Sequence, residues 1–194
     1  MKKRECNANK MKKLAKKIEF LDDPQRRGDI PPEKLLKMLP VKNTDSMLDL
    51  GAGTGYFTIP FAKTVEGPVY ALDMDSNMLE VISSKAKEEN MQNVKPVQGR
   101  ANEIPLSDHS VDFVLASLVL HEVKQLSDSL QQIKRVLKDD GYFVCVELEK
   151  EDNPAHNHPR ISSSIMEQEI VNAGLKVTQK LNPAEGIYII IARK

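Results

Sequence analysis

Two groups of residues have types and spacings suited to chemistry. The first is Asp49-Leu50-Gly51-Ala52-Gly53-Thr54-Gly55, with three glycines at alternate positions just after an acidic residue. Glycines let the chain turn tightly and approach a ligand without a Cβ in the way, and a helix that starts after them offers free N–H groups. A dinucleotide site wants G-x-G-x-x-G; here the third glycine comes one residue early and Tyr56 stands in the expected place. An Asp at the end of a buried strand is costly unless it pairs or accepts hydrogen bonds. Asp49 therefore needs a partner such as a ligand ammonium group or ordered water. Asp73 ends the next apolar run, where an acidic residue can take both hydroxyls of a ribose. The second group is His121-Glu122, after a further apolar run. An unperturbed imidazole titrates near neutral pH and can serve as a general base, although a His at a strand end is also often a simple hydrogen-bonding neighbour.

The surrounding pattern supplies the elements that would position these residues. Met47 to Leu50, Pro68 to Leu72, Asn93 to Val97, Val111 to Ala116 and Tyr142 to Leu148 read as strands. Tyr56 to Thr64, Ser76 to Glu89 and Ser127 to Leu137 read as helices, the last ended by Gly141, with a helical turn near Asn102 to Ile104. Before them, Pro31 and Pro32 open a short helix with Leu35, Leu36 and Leu39 on one face, stopped by Pro40. Apolar strands alternating with helices imply a parallel sheet covered on both faces. The C-terminal part breaks the rhythm. Ser164 with Glu167 reads as a capping box for a helix that Gly174 ends. Leu175 to Leu181 and Ile187 to Ala192 then flank a turn at Asn182-Pro183-Ala184-Glu185-Gly186. Strands that close together must be antiparallel. The expected fold is a Rossmann-like, doubly wound α/β sheet, seven-stranded and mostly parallel, with a C-terminal antiparallel hairpin. Residues 1–30 are expected as a charged tail or helix whose simplest reading is a solvated, frayed end, and 31–194 as the domain.

Composition narrows the function classes. The 28 basic and 28 acidic side chains cancel, so overall charge points to neither a nucleic acid nor an anionic membrane. No apolar run approaches the roughly 20 residues of a membrane helix. The Lys-rich start, Met1 to Lys17, lacks the apolar core of a secretory signal, so a cytoplasmic setting is expected. Cys6 and Cys145 are the two cysteines; they make no disulfide framework, and Cys145, inside an apolar run, reads as a small core residue. His156 and His158 form a His-x-His without a nearby cysteine or carboxylate at ligand spacing, so no metal is expected.

Several segments together resemble class I S-adenosylmethionine (SAM)-dependent methyltransferases. Met47 to Gly55 is similar to their first motif and Val69-Tyr70-Ala71-Leu72-Asp73 to their second. Gly99 to Leu106 with Ser110 to Val114 looks like the adenine loop and fourth strand, and Leu137 to Tyr142 like the turn before the fifth strand. The order is right from Met47 to Leu148, and the alignment is similar to the UbiE-like, type 11 branch. The resemblance implies SAM as cofactor, with Asp49, Gly51, Ala52, Gly53 and Gly55 at its methionine end and Asp73 on the ribose. It also places Met74 on the adenine, Ala101 and Asn102 at the adenine edge, and Ser117 near the carboxypropyl group. Arg100 stands where an acidic residue often reads the adenine amino group, a departure from the pattern. The catalytic candidates are His121 and Glu122. Glu147 and Glu149 could face the acceptor, solvent-exposed carboxylates being the simpler reading, and Arg160 could position an anionic substrate or anchor its loop.

The implied activity is transfer of a methyl group to a small molecule by in-line displacement, with no nucleic-acid partner and no membrane insertion; a homodimer is compatible with it. Two alternatives stay open: a methyltransferase acting on protein or RNA, favoured by the Lys-rich start, and a non-catalytic SAM-binding module. Arsenite methylation fits poorly, because its thiol chemistry needs more cysteines than Cys6 and Cys145.

Overall fold

A computed structural model describes residues 2–28, 30–150 and 159–194; His156 and His158 lie outside the described residues. Strand β1 (Met47–Leu50) stands inside a seven-stranded sheet, with β2 (Val69–Asp73) and β3 (Val94–Gln98) to one side and β4 (Val111–Ser117) and β5 (Leu137–Leu148) to the other. Beyond β5 come β7 (Ile187–Arg193) and the edge strand β6 (Lys176–Ala184), giving the order β3-β2-β1-β4-β5-β7-β6. The first five strands pair in parallel, while β7 runs antiparallel to both β5 and β6. This is the expected doubly wound sheet with its C-terminal hairpin.

The strands are apolar because both faces are covered. Met47 and Phe113 face one core with Leu35 and Leu36 of α2 (Pro32–Leu36), Phe61 of α3 (Thr58–Thr64) and Ile82 of α4 (Ser76–Glu88). Leu48, Leu50, Phe143 and Cys145 face the other, with Ile133 of α5 (Leu126–Val136) and Met166 of α6 (Ser163–Asn172). Cys145 is fully buried there, as its apolar setting implies. The chain winds outward in two directions from β1, and the ends of β1, β2 and β4 form the crevice where such folds take ligands.

Four local expectations are corrected. Helix α5 passes directly into β5: Leu137 pairs with Val111, and the ladder resumes at Tyr142 opposite Phe113 after a bulge in which Asp140 has φ +65°. The cap of α6 is Ser162, whose hydroxyl accepts from the Ile165 N–H, because Ser162 is still extended while Ser164 is already helical. Glu167 instead pairs with Lys180 at 3.0 Å. The segment after Arg100 is a turn closed by the Glu103 N–H on the Arg100 carbonyl, with no helix. The hairpin turn is Glu185-Gly186 alone, since β6 continues through Pro183 to Ala184 with a shift of register; an edge strand tolerates a residue that lacks an N–H.

The N-terminal segment is helical as α1 (Lys2–Asp22), followed by a short 3-10 helix (Pro24–Arg27) capped by the Asp23 carboxylate. Lys17 pairs with Asp75 at 2.7 Å, Lys85 pairs with Asp22 at 3.1 Å, and the Thr54 hydroxyl donates to Asp22. These contacts set the C-terminal end of α1 beside the glycine-rich turn.

Candidate active site

The glycine turn leaves β1 with positive φ at Gly51 (+70°), Gly53 (+54°) and Gly55 (+83°), a conformation that costs other residues about 1–2 kcal/mol each. Gly51 has a second reason to be glycine: a Cβ there would lie 2.5 Å from Val119 Cγ2. At Gly53 a Cβ would meet nothing nearer than Leu21 Cδ1 of α1, at 3.6 Å. The Gly51 and Ala52 N–H groups donate to the Leu72 carbonyl. Asp73 fastens the turn from the neighbouring strand, one oxygen accepting from Gly53 N–H at 2.8 Å and the other from Asp75 N–H at 2.9 Å. Each oxygen keeps lone-pair capacity for a further donor such as a ribose hydroxyl.

Asp49 ends β1 on the face covered by α3. It is buried and accepts the Thr58 hydroxyl at 2.6 Å. Burial raises its pKa to about 6, against the opposing effects of Thr58 and the Arg27 charge. Thr58 thus supplies part of the partnership expected of a ligand. At the end of β4, the Ser117 hydroxyl oxygen is buried with no hydrogen-bond partner. Met74, after Asp73, is 59% exposed, a large apolar side chain left in the open. Ala101 and Asn102 follow β3, with the Asn102 amide reaching Gln125 Oε1 at 3.4 Å. Arg100 is exposed in the same loop.

His121 lies in a 3-10 turn (Leu120–Glu122) after β4. Its Nδ1 is 2.7 Å from Glu147 Oε2, whereas its Nε2 is 3.8 Å from Glu122 Oε1. The expectation that Glu147 faces solvent is overturned: it shares the covered face of β5 with Phe143 and Cys145 and is fully buried. Its oxygens also accept the N–H groups of Leu120 (2.8 Å), His121 (3.4 Å) and Leu148 (3.3 Å). Backbone N–H donors occupy Glu147 Oε1, and its Oε2 accepts from Nδ1–H, leaving Nε2 as the basic nitrogen. Burial pulls the His121 pKa down, but the Glu147 hydrogen bond and charge more than offset it, so the net shift is upward. Glu149 instead accepts from the backbone N–H of Ser163, at the start of α6, and the Arg160 guanidinium donates to the Glu149 carbonyl.

Sequence reasoning missed two further residues. Thr58 was read only as part of a helix. Arg27 gave no signal of burial, yet it is 6% exposed, with its guanidinium over the Tyr56 ring at 4.2 Å and near Phe57 at 5.7 Å.

A glycine turn with two acids at the switch point of this sheet places a ligand crevice in a doubly wound α/β domain. The model of a methyltransferase domain family matches residues 48–145, and the chain belongs to that family. A demethylmenaquinone methyltransferase of Geobacillus sp. (strain WCH70) is 37% identical over 117 residues, 59% of this chain and 50% of that protein. One from Staphylococcus aureus (strain JH9) is 38% identical over 117 residues, 59% and 48% of the two chains. The chain thus spans about half the length of these curated relatives. The crystal structure of a SAM dependent methyltransferase from Aquifex aeolicus superposes with a TM-score of 0.82 at 29% identity, covering 92% of this chain and 97% of that one. The chain thus carries a methyltransferase domain and shares the fold of a SAM dependent methyltransferase. The site fits its cofactor: the buried acid Asp49, the partnerless Ser117 hydroxyl and the free capacity of Asp73 suit the amino-acid and ribose ends of SAM. Among the described residues no helix is long and apolar enough to cross a membrane.

Proposed function

We propose that this chain transfers the SAM methyl group to a small-molecule acceptor, with His121 as general base. The observation that carries the reading is the His121–Glu147 pair at 2.7 Å, which leaves Nε2 as the proton acceptor. Bound SAM supplies an electrophilic methyl group on a sulfonium. Asp49, the glycine turn and Asp73 would hold it, and alignment of the two reactants in one site supplies much of the acceleration. His121 Nε2 would take the proton that the acceptor loses on methylation. Glu147 stabilises the imidazolium that results. Glu122, mostly exposed, is placed to shape the acceptor's entry.

A small acceptor, quinone-like in class, is supported by the names of the curated relatives. The balanced charge supports a substrate other than nucleic acid. We assign residues 31–194 to the transferase domain and 1–30 to a segment that borders its cofactor site. The test is incubation with methyl-labelled SAM and a cell extract, followed by separation by size. Label in the small-molecule fraction, absent with His121→Ala, supports the reading; label confined to protein or RNA overturns it.

A further inference from the structure

We infer that Arg27 receives the carboxylate of the cofactor's methionine end, so that Arg27 and Asp49 together form a site for a zwitterion. Resting on the chain's use of SAM, this assigns a function to a residue outside every motif. A guanidinium can donate five hydrogen bonds. Arg27 makes one, from Nη1 to the Leu21 carbonyl at 3.0 Å, and its buried Nε has no partner. Among the described residues no carboxylate lies within 4.0 Å of it, whereas Lys17 and Lys85, on the same side of the turn, each have an acid. The Asp49 and Asp22 charges act on Arg27 from a distance, and a buried cation with no anion in contact is costly. Nothing in the packing on Tyr56 and Phe57 requires the charge, since an apolar side chain of similar length would fill that space. An anionic ligand would offset the cost.

The surroundings name the anion. Tyr56 directly follows Gly55, so the aromatic base under the guanidinium is part of the turn that receives the cofactor. Asp49, of opposite sign, is close enough for the Arg27 charge to act on its titration. An α-amino acid carries its ammonium and carboxylate on one carbon, and an acid and a base on two sides of one turn match that pair. The planar guanidinium matches the two carboxylate oxygens. Ser117, with its buried hydroxyl unpartnered, offers a further donor at the end of β4.

The experiment is titration calorimetry of wild type, Arg27→Met and Arg27→Lys with three ligands. These are S-adenosylhomocysteine, its α-carboxyl methyl ester, and 5′-methylthioadenosine, which lacks the amino-acid end. In wild type the ester should bind about 30-fold more weakly than the free acid, as expected for losing charge-assisted hydrogen bonds. In Arg27→Met, acid and ester should bind alike, methylthioadenosine should keep its affinity within about twofold, and Arg27→Lys should recover part of the preference, as a point charge does. An equal loss for all three ligands marks Arg27 as purely structural and overturns the inference, as does an Arg27→Met protein that keeps the preference for the acid. Should Arg27→Met not fold, wild type and Arg27→Lys decide: a wild type indifferent to esterification overturns it. A wild type that binds none of the ligands defeats the cofactor assignment itself.

Discussion

Glu147 and His121 lie 26 residues apart on different strand ends, yet Glu147 Oε2 meets His121 Nδ1 at 2.7 Å while its other oxygen accepts the Leu120 N–H. One fully buried carboxylate therefore fixes the backbone of the turn, the orientation of the ring and the tautomer that exposes Nε2.

That arrangement predicts a divided response to substitution. His121→Ala and His121→Gln should lower kcat by roughly 100- to 10,000-fold, with little change in SAM affinity. Because the His121 pKa is raised, the wild-type rate should climb with pH through a value above the ordinary 6.5 or so. In Glu147→Gln the larger raising influence is gone, leaving the Glu122 charge against burial, so the rising limb should move to lower pH and kcat should fall. NMR titration of the imidazole in both proteins checks the shift without activity; equal values would show that Glu147 does not act on the ring.

Asp49 predicts a pH dependence of binding. Its pKa is near 6 in the folded chain and about 3.9 in an unfolded one. Between these values the folded state holds the extra proton, so stability without ligand should decline as pH rises from about 4 to 6 and then level. The cofactor's ammonium favours the ionised carboxylate. Affinity for S-adenosylhomocysteine should therefore rise up to about tenfold per pH unit below 6 and flatten above it. Asp49→Asn should bind weakly with no such slope; calorimetry from pH 5 to 8 measures both.

Asp73 holds the Gly53 N–H and has capacity for the ribose. Asp73→Ala should cost about 1.5–3 kcal/mol of SAM binding while the chain stays folded, as read by calorimetry and by far-UV dichroism. Unchanged affinity in a folded variant would place the ribose elsewhere.

Much of this fold was legible because its strands are covered on both faces. Runs such as Met47 to Leu50 and Val111 to Ala116 are nearly all apolar and bounded by turn residues, and the short link before Ile187 forces a hairpin. Boundaries were less legible where local geometry overrides pattern. Ser162, Ser163 and Ser164 are equivalent as residue types, and only the extended backbone of Ser162 makes it the cap. The turn and its two acids were visible from type and spacing. Glu147 carries a signal of its own: a lone acid in the apolar run Tyr142 to Leu148, on the face of Phe143 and Cys145, marks a buried charge with a partner. Arg27 carried no signal, because its burial depends on where the chain after α1 crosses Tyr56, a tertiary event without periodicity.

Asp49, the glycine turn and Asp73 line the crevice assigned to SAM. Titration calorimetry of the wild-type chain with SAM, S-adenosylhomocysteine and NAD should show one-to-one binding of the first two, each displacing the other, and no heat with NAD. Saturable NAD binding with no response to either adenosyl ligand would overturn the assignment.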